Sequence, residues 1–483
     1  MSDVQINQPM SQRKLEIQAQ ADATAPSREG WIERNAFYYN DDYRFMRFLV
    51  PEGVRVLDLG CGTGRLLAEL KPSCGVGVDF SQACIDVAKK KYPGLSFVVG
   101  DIESQAAIDQ LSGPFDVIIL SDTIGYLEDC EETLARLRPL CTPETRLVVS
   151  YYSHVWEPLL KLASRLGMRM QMGELNWLST SDIVNLLELA DFDVVRREWR
   201  QLIPKAMLGV GALVNRFFAP LPGIRRLCLR NYVVARALED ARKSEPSVSV
   251  VIPCRNERGN IESAVKRMPL LGGGVEIIFV EGHSQDGTWE EILRVQAAYS
   301  KVNIVCLRQD GVGKGDAVRK GFDQATGDIL MILDADLTVA PEDLAKFFRA
   351  ISSGKGEFIH GTRLVYPMQS QAMQFLNYLA NRLFALLFSY LLNQRFTDTL
   401  CGTKVLWRSD YQRIVAGRAY FGEFDPFGDY DLILGAAKLN LKITEIPIRY
   451  ASRSYGSTQI LRFRHGLLLL RMVRLAYFKL KAL

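Results

Sequence analysis

Twice in this chain an apolar, β-rich segment breaks into a polar or glycine-rich turn and continues as a helical pattern, and each time the unit is then repeated in series. The first series has strands near 54–57, 75–78, 95–98, 116–120 and 146–150, with helical patterns such as Gln82–Lys91 and Glu131–Leu137 between them. A helix at Asp182–Leu189, with Ser181 as its N-cap, and strands near 192–196 and 231–235 follow. The second series starts at Val248, with strands at 248–252, 276–280, 303–307 and 328–333 and helices after the first three. Alternating strands and helices imply parallel sheets covered on both faces. The expected fold class is therefore α/β, two tandem Rossmann-like domains at 31–237 and 248–458. The charged run LEDARKSEPS, 238–247, is the linker between them. Residues 1–30 read as a loose polar tail and 459–483 as a basic C-terminal helix.

A length of 483 residues exceeds what one ordinary core holds, and 48% hydrophobic with 24% charged residues is a globular composition. A net charge of +4 announces no nucleic-acid partner. Nine cysteines without a C-x-x-C pair form neither a disulfide framework nor a zinc site, which favours a reducing compartment. The N-terminus has no secretory pattern, and no run of about 18 apolar residues suggests a membrane span. From 461 to 483 there are six basic residues and no acid; Arg464, Arg471, Arg474 and Lys481 fall on one helical stripe. Such a helix suits the plane of a membrane interface, so the expectation is a cytoplasmic chain peripheral to the inner face of a membrane. The plainer alternative is a terminal helix docked on its own domain.

In the first series, Val56-Leu57-Asp58-Leu59-Gly60-Cys61-Gly62-Thr63-Gly64 is a buried strand opening into a glycine loop and then a helix. Glycines let backbone approach a ligand, and a helix N-terminus offers free N–H groups. Asp79 ends the next strand, where an acid can accept both hydroxyls of a ribose, and the third strand leads into Asp101. The G-x-G-x-G spacing, with an acid two residues before it, resembles motif I of class I S-adenosylmethionine-dependent methyltransferases. That resemblance implies S-adenosyl-L-methionine as cofactor, held by Asp58, Gly60, Gly62, Gly64, Asp79 and Asp101. It names no catalytic base, since an in-line methyl transfer can rest on positioning. Tyr151, Tyr152, His154 and Trp177 are candidates for the acceptor pocket. A domain that binds the cofactor without transferring methyl is the alternative.

In the second series, Leu333-Asp334-Ala335-Asp336 ends an apolar strand with two acids at i and i+2. Carboxylates at such an edge can hold Mg²⁺ or Mn²⁺, and the metal neutralises a departing diphosphate. With Val250–Glu257, Phe279–Thr288 and the glycine turn Gly311–Ala317, the set resembles the family 2 inverting glycosyltransferases of GT-A fold, most closely the polyprenyl- or dolichyl-phosphate mannosyl- and glucosyltransferases. The resemblance implies a nucleotide-sugar donor, with Asp334 and Asp336 as catalytic and metal-binding acids. Pro253, Arg255, Glu257, Glu281 and Lys314 would bind the donor, and Arg363 (in Gly361-Thr362-Arg363) and Arg453 would face phosphate. The implied acceptor is a lipid phosphate such as polyprenyl phosphate. A glycan hydroxyl is the alternative; it needs a base, for which Asp429 or Asp431 would serve.

Overall fold

The run Arg55–Leu59 (β1) is buried on both faces beyond its first residue, which suits the middle of a covered parallel sheet. The computed structural model describes residues 10–170, 175–238, 245–363, 365, 375–422, 430–449, 455 and 462–483. The chain divides into two compact units, 1–238 and 239–482.

The first unit contains β1, β2 (Cys74–Asp79), β3 (Ser96–Val99), β4 (Val117–Ser121), β5 (Arg146–Tyr152), β6 (Phe192–Arg200) and β7 (Arg230–Ala237). Their order in the sheet is β3-β2-β1-β4-β5-β7-β6. β1 to β5 run parallel, with Val56 opposite both Gly75 and Val117, so the C-terminal ends of β1, β2 and β4 lie side by side. β7 is antiparallel to β5 and β6, so this sheet is mixed, unlike the all-parallel expectation. Leu57, Leu59, Ile118, Leu120, Leu147 and Val149 alternate along three strands and share one core.

The segment expected to be a loose tail is instead helix α1, Gln12–Arg34, followed by α2, Ala36–Leu49. Its polar sequence offers little amphipathic signal, and only Lys14, Ile17, Ala25 and Ile32 are buried. Tertiary ion pairs hold it. The helix at Thr180–Leu189 is capped by Ser179, not Ser181: the Ser179 hydroxyl accepts from Asp182 N at 3.2 Å and Asp182 accepts from Ser179 N at 2.8 Å.

The second unit contains β8 (Val248–Cys254), β9 (Val275–Glu281), β10 (Asn303–Arg308), β11 (Ile329–Ile332), β12 (Phe358–Thr362), β13 (Lys404–Trp407) and β14 (Ile443–Pro447). Their order is β10-β9-β8-β11-β13-β12-β14. β13 is antiparallel to both neighbours, a second departure from the all-parallel expectation. Cys254 pairs with Glu281 and Ile332 with Val251, so the parallel strands β9, β8 and β11 end at a common edge.

The C-terminal helix Arg462–Leu480 buries Leu469, Met472, Ala476 and Leu480. Lys481, expected on the cationic stripe, is fully buried and donates to Asn393 Oδ1 at 2.8 Å. Arg471 and Arg474 stay exposed, as do Leu467, Leu470 and Phe478. No helix among the described residues is long and apolar enough to cross a membrane.

Candidate functional sites

At the C-terminal edge of the first sheet a cavity of about 390 Å³ opens over the glycine loop, lined by Gly60, Gly62, Asp79, Asp101, Ser121 and Asp122 among others. The loop is backbone-limited. Gly60 has φ +78°, and a Cβ there would come within 2.3 Å of the Thr123 hydroxyl; Gly62 has φ +52°. Asp79 ties loop to strand, one oxygen accepting from Gly62 N at 2.8 Å and the other from Ser81 N at 2.9 Å. Burial pushes its carboxyl up, while these two N–H groups and Arg28 pull it down. Gly64 does not line the cavity, and neither does Asp58, which is buried beneath the loop. Burial and the neighbouring Asp79 raise the Asp58 carboxyl to about 7.

α1 supplies a wall of this cavity that the sequence did not reveal. Lys14 pairs with Asp101 and, at 2.6 Å, with Glu103. Gln18 donates to Phe80 O at 2.7 Å, and Asp22 accepts from the Ser81 hydroxyl at 2.5 Å. Glu29 accepts from Thr63 at 2.7 Å, and the Arg28 guanidinium lies 3.2 Å from where a Gly62 Cβ would stand. Every one of these partners is 34 to 89 positions away along the chain.

Beyond the glycine loop the cavity continues between aromatic side chains: Tyr38, Tyr39, Tyr126, Tyr152 and Trp156. Of the four residues considered for an acceptor pocket, only Tyr152 lines it. Tyr151 is buried and donates to Asn176 O at 2.7 Å, Trp177 packs on the core, and His154 is exposed. Burial raises the phenol of Tyr39 to about 12, so it stays protonated near neutrality. The fully buried Arg230 gathers this end, donating to Tyr38 OH at 3.1 Å and Asp42 at 3.2 Å and pairing with Asp122.

In the second unit, Asp334 and Asp336 follow β11 at the edge it shares with β8 and β9. Lys314, first residue of the helix Lys314–Gln324, sets its ammonium 2.5 Å from Asp334 Oδ1. Burial raises the Asp334 carboxyl, but Lys314, with Lys404 and Arg363 beyond it, reverses this and holds it below the ordinary range. Gly402 is needed here, because a Cβ would come within 2.0 Å of Asp334 Oδ2. Asp336 accepts from Thr338 N at 3.1 Å and from its hydroxyl at 2.8 Å. Among the described residues no three His, Cys, Asp or Glu side chains converge as a metal cage. Asp334 and Asp336 are the oxygen donors here that would hold a divalent cation, and in this structure the charge that meets Asp334 is the Lys314 ammonium.

Glu257 and Glu281 are buried at the same edge, Asn260 donating to Glu257 at 2.8 Å, whereas Pro253 is half-buried and Arg255 exposed. Arg363, expected to face phosphate, directs its guanidinium onto the fully buried Asp398, at 2.6 and 2.8 Å. Asp398 also accepts from Asn381 at 3.1 Å, and sequence reasoning missed it. Asp431, one of the two possible bases, is paired with Arg418 at 3.1 Å and Arg319 at 3.3 Å. Asp429 and Arg453 lie outside the described residues.

Residues 32–197 match the family model described as a methyltransferase domain, and residues 249–414 match glycosyl transferase family 2. The chain joins a methyltransferase domain to a glycosyltransferase family 2 domain. Among similar proteins is the dolichol-phosphate mannosyltransferase of Pyrococcus furiosus, 38% identical over 120 residues that cover 24% of this chain and 33% of that one. The Saccharomyces cerevisiae dolichol-phosphate mannosyltransferase is 35% identical over 120 residues, covering 24% of this chain and 44% of its own. The chain thus spans under half the length of these curated relatives. A solved Thermotoga maritima protein, described as a SAM-dependent methyltransferase and possible histamine N-methyltransferase, aligns at 18% identity. That alignment has a TM-score of 0.35 and covers 45% of this chain and 98% of the other. In the glycosyltransferase domain the matched segment contains Asp334, Asp336, Lys314 and Arg363; in the methyltransferase domain it contains the glycine loop, Asp79 and Asp101.

Proposed function

We propose that the glycosyltransferase domain moves a hexose, with inversion, from a nucleotide-sugar to a lipid-phosphate acceptor of the polyprenyl phosphate type. The observation that carries this reading is Asp334: an ionised carboxylate beside Asp336 at the shared strand edge, with the Lys314 ammonium 2.5 Å away. Asp334 and Asp336 would hold Mg²⁺ or Mn²⁺, which when bound neutralises the diphosphate that leaves. Lys314 adds positive charge at the same point. Asp398 fixes the Arg363 guanidinium, whose charge contributes to the potential around Asp334. Glu257 and Glu281 stand at the nucleoside end. The acceptor oxygen attacks the anomeric carbon from the face opposite the leaving diphosphate, forming one C–O bond as the other breaks.

A phosphate acceptor is favoured by the state of Asp431. Its carboxylate is engaged by Arg418 and Arg319 instead of standing open to an acceptor hydroxyl, and an anionic phosphate needs no base. The names of the two mannosyltransferase relatives point the same way. The exposed Leu467, Leu470, Phe478, Arg471 and Arg474 of the C-terminal helix support a peripheral position on a membrane's cytoplasmic face.

The methyltransferase domain, in the same reading, binds S-adenosyl-L-methionine over Gly60 and Gly62 with Asp79 toward the ribose and Asp101 toward the adenine. The aromatic extension of the cavity leaves room for an acceptor, which favours methyl transfer over a bare binding module. The test is sugar transfer to polyprenyl phosphate. Asp334→Asn and Asp336→Asn should each lower the rate about a hundredfold or more. Asp431→Asn should spare it, and selective loss of transfer with donor binding retained would instead favour a hydroxyl acceptor.

A further inference from the structure

The acceptor end of the methyltransferase cavity is framed by two segments whose outward faces the fold leaves uncovered. Leu159, Leu160, Ala163 and Met168 line the cavity from one of them, and Pro204 and Lys205 from the other. The nine-residue helix Glu157–Arg165 buries no residue at all. Leu159, Leu162, Leu166 and Met168 are each more than half exposed. Past Lys205, Met207, Val210 and Leu213 are also more than half exposed, and Leu208 is wholly so. Leu227, more than half exposed as well, is joined to the cavity wall by the Trp156 indole, which donates to its carbonyl at 2.7 Å. Met207 and Leu208 have φ of 44° and 55°, a left-handed backbone disfavoured for such residues, and neither is buried in compensation. So many large apolar side chains around one opening exceed the scatter of an ordinary surface.

The charge of the two segments is one-sided. Residues 154–170 carry Lys161, Arg165 and Arg169 against a single acid, Glu157, which is itself paired with Lys161 at 2.5 Å. Residues 202–229 carry Lys205, Arg216, Arg225 and Arg226 and no acid.

We infer that this rim docks on an anionic lipid bilayer, and that the methyl acceptor is an amphipathic, membrane-resident molecule entering the cavity from that surface. Leucine and methionine side chains enter the boundary between headgroups and acyl chains while the interleaved cations meet lipid phosphates. A nucleic acid would satisfy the cations and leave the leucines in water. The inference rests on the cavity being the methyl-donor site only for the direction of acceptor entry. The rim belongs to the first unit.

The test uses the full chain. Of its nine cysteines Cys74 is exposed and Cys130 and Cys306 are half-buried, so a chain with these three replaced (Cys74→Ser, Cys130→Ala, Cys306→Ala) and Leu208→Cys takes an environment-sensitive dye at position 208. A matched chain carries the dye at Leu270→Cys, a fully solvated position of the second unit. Vesicles of phosphatidylcholine with phosphatidylglycerol should shift the 208 emission to the blue and raise it roughly threefold, while the 270 dye stays unchanged. The 208 response should fall with phosphatidylcholine alone and with Leu162→Glu. No response at 208, an equal response to neutral vesicles, or an emission already blue without lipid would each overturn the inference. Calorimetric binding of S-adenosylmethionine without lipid reports separately on the cavity. Donor binding with a silent 208 dye refutes docking alone, whereas no donor binding refutes the cavity assignment.

Discussion

Asp58 ionises near 7 in the folded chain and near 3.8 as an isolated group, because burial and Asp79 oppose its charge. Its contribution to stability is therefore full below pH 3.8 and is lost as pH rises to about 7. Asp58→Asn should flatten the fall in thermal midpoint across that window, which melting curves at stepped pH would register. A cationic donor above the loop should also draw the proton off, so binding near pH 6.5 releases part of a proton, measurable as buffer-dependent heat. Asp79→Asn keeps shape but loses the charge that organises Gly62 and Ser81, and donor affinity should fall about tenfold or more. These residues were legible because each stands at a strand end a short, fixed step from a glycine turn or a second acid. Asp398 was not. Its meaning comes from Arg363 and Asn381, 35 and 17 positions away, and no local pattern joins them.

Helix α1 shows the same limit for an element. Polar, with Pro26 inside it and only four buried residues, it lacks the apolar stripe that marks a helix in sequence. Its stability comes from ion pairs with the strand ends it covers. Lys14→Met removes the cation that Asp101 and Glu103 share and should cost about 1–3 kcal/mol in chemical denaturation, with weakened methyl-donor binding. The strands of both sheets through β11 were legible from apolar runs, to within a few residues at their ends. The reversed direction of β7 and β13 was not, since an apolar strand reads alike in either direction. Lys481 is the converse case, a cation on an expected surface stripe that Asn393 takes into the interior.

Among the described residues each of the two units carries a core cluster, with its own strand edge and its own acids. S-adenosylmethionine should raise one thermal transition and a nucleotide-sugar with Mn²⁺ the other, by mass action on separate units. Asp79→Asn should abolish only the first shift. Asp334 and Asp336 are proposed to gather a divalent cation and a sugar nucleotide. Calorimetric titration of nucleotide-sugars into the wild-type chain and into Asp334→Asn, with and without Mn²⁺, tests it directly. Mn²⁺-dependent binding is expected in the wild type, weakened at least tenfold, about 1.4 kcal/mol, in the variant. Equal affinity in the two chains, or wild-type binding indifferent to the metal, would contradict it.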